Sequence, residues 1–297
     1  HGVNVHEGAR ILEVIFEGTR AVGVRVKPED GPEREVRAKV VVDASGQSTL
    51  IIDRFGLREW DPALKKAALW TYWKGAYRDP GKDDGATIVI QTEGKKGWFW
   101  YIPLHDDIVS VGVVADHDYL LKNRTNKDPE AIYFEEVAKA PGVQPRIANA
   151  TRCDGFRIQK EYSYRAKQAA GDGWCLVGDA FGFLDPLYSS GLLLATTSAS
   201  MAADAIADGL ATGDTSEARL RTWEGPYLQG MDRIRRLVCE FYDGLSFGRF
   251  VKKHPHLKGL VTDVLVGDVF KDEVDQLWPL MDELRREQNI PAYQAVG

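Results

Sequence analysis

Three cysteines in 297 residues, Cys153, Cys175 and Cys239, are odd in number and far apart, and none forms a Cys-x-x-Cys pair. Neither a disulfide framework nor a zinc site is indicated, no metal is expected, and burial is the expected role of each thiol. Basic charge is also short, with 38 Lys and Arg against 44 Asp and Glu and a net charge of −6. That balance, with no dense Lys/Arg cluster, argues against a nucleic-acid surface. No apolar run approaches the length of a membrane span, and no basic-then-apolar signal opens the chain, so a cytoplasmic protein without a membrane span is expected. Repeats and low-complexity tracts are missing too. Finally, no GxGxxG follows a predicted strand and opens a helix, so the glycine loop that cradles a dinucleotide pyrophosphate is not among these residues.

What is present is a globular composition, 44% hydrophobic, enough for one large core or two smaller ones. The first forty residues read as a β-meander: Val3 and Val5 end one strand, and strands are predicted at 10–16, 21–26, where Val22, Val24 and Val26 alternate, and 34–38. Val40-Val41-Val42 then runs without interruption into Asp43-Ala44-Ser45-Gly46. A buried parallel strand that presents its C-terminal end to a ligand has this pattern.

Between residues 57 and 164 aromatics crowd in, from Trp60, Trp70, Tyr72 and Trp73 to Gly97-Trp98-Phe99-Trp100-Tyr101-Ile102-Pro103. Strands at 86–91 and 108–115, with Val109, Val111 and Val113 on one face, predict an antiparallel sheet packed on one side, with a helix at 129–138. Residues 147–161 are expected to lead the chain back to the first domain. Trp98 and Trp100, two apart on a strand, point to one face and either make an apolar wall that can exclude water or simply fill the core. Lys65, Lys66 and Lys74 read as surface charges.

The chain is organised around residues 174–191, WCLVGDAFGFLDPLYSSG. A short apolar strand runs into Gly178-Asp179-Ala180, then through Pro186 and Tyr188 to Ser189-Ser190-Gly191, where a small-residue helix at 192–210 begins. Free N–H groups at that helix start favour an anion or the electron-rich end of a reduced flavin. Asp179 is placed to accept hydroxyls of a sugar or polyol, or else to cap its own turn. Beyond Gly213 only helices are predicted: one long amphipathic helix over 218–245, with Arg233, Arg235 and Arg236 near its solvated side, then 257–266 and 274–286.

These stretches carry a resemblance. GDAFGFLDPLYSSG resembles the GDA…P…G motif of FAD-dependent monooxygenases of the hydroxybenzoate-hydroxylase type, most closely the flavin-dependent halogenase branch. VVVDASGQST resembles the strand and turn that approach the dinucleotide part of FAD in that family. Gly97 to Pro103 matches the GWxWxIP motif of the halogenases at every defined position. Isoprenoid-lipid reductases carry a similar aromatic-x-Trp-x-aromatic-Pro stretch, and Ile102 favours the halogenase side.

The resemblance implies an α/β flavoprotein with a Rossmann-like FAD domain lacking its first βαβ unit. The chain then divides into a first FAD-binding segment (1–56), an antiparallel substrate-domain sheet (57–164), a second FAD-binding segment (165–213) and a helical C-terminal region (214–297). The cofactor residues it implies are Asp43, Ala44, Ser45, Gly46, Gly178, Asp179, Ala180, Pro186 and Gly191. Ser190 and Gly191 are implied as amide donors to a chloride or bromide ion, and Trp98 and Trp100 as the motif wall. The essential lysine of the family is expected upstream of His1, so these residues alone are expected to be inactive.

Reduced FAD is implied to come from a separate flavin reductase. The implied substrate is an electron-rich aromatic, small or bound to a carrier protein. Tyr188 stands where the tryptophan-specific halogenases have glutamate, which leans away from free tryptophan. The alternative on the same scaffold is a monooxygenase or a geranylgeranyl-reductase-like enzyme that does not halogenate.

Overall fold

Alternating valines after a Glu17-Gly18 turn, with Val24 opposite Val14, close the first hairpin of the computed structural model, which describes residues 2–160 and 162–296. β1 (Ala9–Glu17) pairs antiparallel with β2 (Arg20–Pro28), and β3 (Arg34–Arg37) adds to β2. Val3 and Val5 form no strand and are exposed, because no described strand lies alongside to pair with them. β4 (Val41–Asp43), α1 (Leu50–Phe55) and β5 (Arg58–Trp60) follow.

The chain divides into two compact units, one running to Asp61 and resuming at Tyr164, the other Pro62–Ser163. In the second, β6 (Lys66–Lys74), β7 (Ile88–Gln91), β8 (Gly97–Pro103) and β9 (Ile108–Asp116) are joined by α2 (Pro129–Ala138) and α3 (Gln144–Ile147). α2 starts where its sequence dictates: Pro129 opens it, and the Ala131 N–H donates to the Asp128 carboxylate at 3.1 Å. β10 (Thr151–Arg152) and β11 (Arg157–Lys160) both pair with β6, so the expected return segment belongs to the sheet, whose order is β10-β6-β9-β8-β7. Glu161, the last residue expected in that segment, lies outside the described residues.

The core face of this sheet gathers Leu69, Trp73, Phe99, Tyr101, Val111 and Val113 against Ile132 and Tyr133. The opposite face is not solvated as expected. Ser110 and Val114 are buried there too, beside the Trp98 and Trp100 side of β8. Lys66 is likewise no surface charge; it is buried and paired with Asp116.

The first unit resumes with β12 (Tyr164–Ala166), β13 (Ala170–Gly171), β14 (Trp174–Leu176), β15 (Gly182–Phe183) and the 22-residue α4 (Gly191–Thr212). β14 runs parallel to β4, while β12 lies between β15 and β5. The long C-terminal helix expected from the sequence is broken into α5 (Glu217–Leu220) and α6 (Glu224–Tyr242). Pro226 is the reason: it has no N–H to donate, so it is tolerated only in a first turn and the helix restarts just before it. α7 (Phe247–Lys253), α8 (Lys258–Leu265) and α9 (Leu277–Glu287) complete the unit.

The three arginines of α6 overturn their expected position on the solvated side. Arg233 and Arg235 are 4% and 3% exposed. Arg233 forks onto Asp275 at 2.8 and 2.6 Å, and Arg236 donates to Asp282 at 2.5 Å. Each carboxylate comes from sequence far from α6, so helical periodicity alone could not tell a buried ion pair from a solvated charge. Cys153 also departs from expectation and is exposed. Cys175 and Cys239 are buried, which pushes their thiols up to about 12 and about 11.

Candidate functional site

The strand-turn-helix at residues 174–191 is held by contacts that its glycine permits. Gly178 has φ +57 and lies against α4, where an added β-carbon would come 3.1 Å from the Ala195 methyl. Its N–H donates to Ser198 Oγ at 2.9 Å, tying the turn to the buried side of α4. Two tyrosines brace the segment: Tyr164 donates to the Asp179 carbonyl in the turn at 2.6 Å, and Tyr227 to the Leu194 carbonyl in the first turn of α4 at 3.2 Å. Burial moves the Tyr164 hydroxyl up to about 12, so it stays a donor at neutral pH.

Asp179 is partly buried in this turn. Burial pushes its carboxyl above the ordinary range, and a hydrogen bond with Gln47 draws it partly back. Gln47 lies one residue after Gly46, so the two glycine turns singled out in the sequence meet through this pair. Asp43 behaves differently. It is buried, and its two oxygens accept the Ser45 and Ile51 N–H groups at 3.0 Å each. Its side chain thus shapes the turn and the start of α1, and Ala44 and Ser45 line a cavity of about 270 Å³ with Val41, Val42 and Leu50.

Downstream, Pro186 and Leu187 lead into a tight turn in which Ser189 takes a left-handed φ of +52 and donates to the Pro186 carbonyl at 3.0 Å. Ser190 is buried at the N-cap of α4 and makes no side-chain cap. The first satisfied amide of the helix is that of Leu194, which donates to the Ser190 carbonyl at 2.9 Å. Among the described residues, none accepts from the amides of Ser190, Gly191, Leu192 or Leu193. Four converging N–H groups at the start of a long helix carry a partial positive charge suited to an anion. Tyr188 lies in the same turn, and burial together with the Asp185 charge holds its phenol neutral.

In the other unit, the even-numbered face of the sheet carries Trp70, Trp98 and Trp100. The Trp98 and Trp100 rings lie 6.2 Å apart and those of Trp70 and Trp100 5.9 Å. Trp100 fits because Gly112, opposite it on β9, has no side chain; a β-carbon there would come within 2.1 Å of the indole. Trp100 Nε1 donates to Ser110 Oγ at 3.1 Å.

The sequence profile of the tryptophan halogenases matches residues 1–246. The chain belongs to the tryptophan halogenase family. The 1H-pyrrole-2-carbonyl-[peptidyl-carrier protein] chlorinase of Pseudomonas fluorescens is 30% identical over 291 residues, 95% of this chain and 63% of that protein. The tryptophan 2-halogenase of Chondromyces crocatus is 32% identical over 250 residues, 82% of this chain and 47% of that one. The structure of the flavin-dependent brominase Bmp2 is similar at a TM-score of 0.80 and 29% identity, covering 94% of this chain and 71% of that one. The chain therefore spans between about half and two thirds of the length of these curated relatives.

The fold is the mixed α/β fold of flavin-dependent halogenases, with antiparallel sheets and C-terminal helices. No described helix is long and apolar enough to cross a membrane. Sequence reasoning missed Gln47, Tyr164, Ser198 and Tyr227. Each acts through a partner on another element, and no local motif marks them.

Proposed function

We propose that this chain belongs to an FAD-dependent halogenase acting on an electron-rich aromatic, free or carrier-bound, with chloride or bromide as the halogen source. The four unbonded amides from Ser190 to Leu193, in a turn fixed by the left-handed Ser189, are the observation that carries the reading. They suit a halide because they offer N–H donors and the positive potential of a helix start.

The residues fit FAD. Asp179 is a partly buried carboxylate whose hydrogen bond comes from a neutral amide, Gln47, which leaves acceptor capacity for ribityl hydroxyls. Gly178 and Ala180, both buried, pack the turn against α4 and so hold Asp179 at its surface, and Asp43, by holding its turn, sets Ala44, Ser45 and Gly46 for the dinucleotide portion. Pro186 and Gly191 bound the turn proposed for the ring system. Bound and reduced by a partner flavin reductase, FAD supplies the two electrons that dioxygen needs to convert halide to a hypohalous acid equivalent.

The protein's own role is to bind halide, orient substrate and exclude water. Trp70 and Trp100, partly exposed and tilted against each other, offer an apolar surface to an electron-rich ring, backed by the buried Trp98. Tyr188, neutral at physiological pH, supplies no charge to balance an amino-acid ammonium, which favours a pyrrole or phenol over free tryptophan. The pyrrolyl carrier protein named for the Pseudomonas fluorescens relative agrees with that preference.

The test joins this chain to the dinucleotide-binding segment of a family member and supplies reduced flavin, oxygen and bromide. The bromine isotope pair should appear by mass spectrometry in pyrrole or phenol products, and less in tryptophan. Hydroxylated or reduced products without bromine, across several electron-rich substrates, would reject the halogenase reading.

A further inference from the structure

The turn from Pro186 to Gly191 is closed by a contact that its own sequence does not contain. Asp185, 2% exposed, accepts the Leu187 N–H at 3.0 Å through Oδ1. The same carboxylate accepts the hydroxyl of Tyr242, the last residue of α6, at 3.2 and 3.0 Å from its two oxygens. One carboxylate thus links the backbone at the beginning of the turn to a helix more than fifty residues downstream. At the other end of the turn, Ser189 sits in a left-handed conformation that a residue with a β-carbon adopts only when its surroundings enforce it.

We propose that Asp185 and Tyr242 are positioning residues that lock the 186–191 turn, and so aim the Ser190 to Leu193 amides at a halide. The proposal rests on the halogenase reading and deepens it. Neither side chain contacts the reacting atoms; both act through the backbone between them. A buried carboxylate held by an amide and a hydroxyl has a defined direction, because moving it would take a buried charge away from those donors. Pro186 stiffens the next step by fixing its own φ. With Tyr242 in place the turn has one conformation; without its hydroxyl, Asp185 keeps only the Leu187 amide of these two donors and Ser189 is freer to relax to a right-handed or extended backbone.

The experiment compares the wild type, Tyr242→Phe and Asp185→Asn, all as the flavin-loaded protein joined to the dinucleotide-binding segment of a family member. Hydrogen exchange of the 186–194 peptide reads the turn, and broadening of the 81Br resonance on titrating bromide reads halide affinity. Tyr242→Phe keeps the ring and its packing. It is expected to speed exchange in that peptide about tenfold and to weaken bromide about five- to tenfold in both dissociation constant and KM, with kcat at saturating bromide and FAD affinity within about twofold of wild type. Asp185→Asn, which keeps the shape and one acceptor, should fall between the two or below Tyr242→Phe.

Faster exchange with unchanged bromide affinity would overturn the proposal and leave the halogenase reading standing. Unchanged exchange in both variants would overturn it as well. A wild type that neither binds bromide nor brominates would instead remove the halide site, and this proposal with it.

Discussion

Arg235 and Asp61, 174 residues apart in sequence, pair two-to-two: Nε and Nη2 of the guanidinium donate to the two carboxylate oxygens at 2.5 and 2.9 Å. Arg235 also donates to the Tyr293 hydroxyl and the Gln294 carbonyl, at 2.7 and 2.9 Å, so it joins α6 to the residue after β5 and to the C-terminal tail. Removing one member of a buried pair strands the other charge. Asp61→Ala is expected to lower stability by about 3–5 kcal/mol. The exposed Arg37–Glu17 pair at 2.7 Å provides the contrast, and Glu17→Ala should cost about 0–1 kcal/mol. Urea unfolding of the two variants measures the difference.

Gly112→Ala tests the tryptophan wall. The added methyl would occupy space held by the Trp100 ring, which must swing out and abandon its bond to Ser110. A loss of about 1–3 kcal/mol is expected for such overpacking. Tryptophan emission should shift to the red as an indole becomes wetter, and a variant with unchanged emission and stability would show that the slot is roomier than its geometry indicates.

Asp179 couples stability to binding with opposite signs. Its carboxyl is raised by burial, so the folded chain holds that proton more tightly than the unfolded chain does. Stability from this group is therefore greatest below the ordinary carboxylate pKa and declines as pH rises through the raised value. Asp179→Asn should be more heat-stable than wild type near pH 7 and indistinguishable near pH 3, by thermal melts at both. The same change should weaken FAD, since a charge-assisted hydrogen bond contributes about 1.5–3 kcal/mol.

What the sequence revealed and what it hid follow one rule. Val22, Val24 and Val26 and the alternation in β9 repeat at the period of their own strand, so the meander and the antiparallel sheet are legible; the apolar run before Asp43 gives the parallel strand but not its burial, since Val42 is 46% exposed. The family membership was legible in the three motif stretches as well. Arg233, Arg235 and Arg236 were not, because their burial depends on Asp275, Asp61 and Asp282, which come together only in the folded chain. The burial of Ser110 and Val114 on the second face of the sheet is hidden for a related reason: alternation in one strand says nothing about what covers its other face. Of the candidate site, the glycine turns and the helix start could be read directly, whereas the braces from Tyr164, Tyr227 and Tyr242 had no local signature.

Pro62–Ser163 is an uninterrupted stretch that departs after β5 and rejoins at β12, where Trp60 and Tyr164 are paired neighbours. Bringing those two residues together across an unfolded chain of that length costs about 4 kcal/mol of closure entropy. During synthesis β4 and β5 precede the insert but must wait for their sheet partners β14 and β12, while the sheet of the inserted stretch has all its strands within itself. The inserted sheet is thus self-sufficient in its strands, whereas β4 and β5 are not: pulse-labelling hydrogen exchange during refolding is expected to protect β6–β11 before β4, β5 and the turn that carries Asp179.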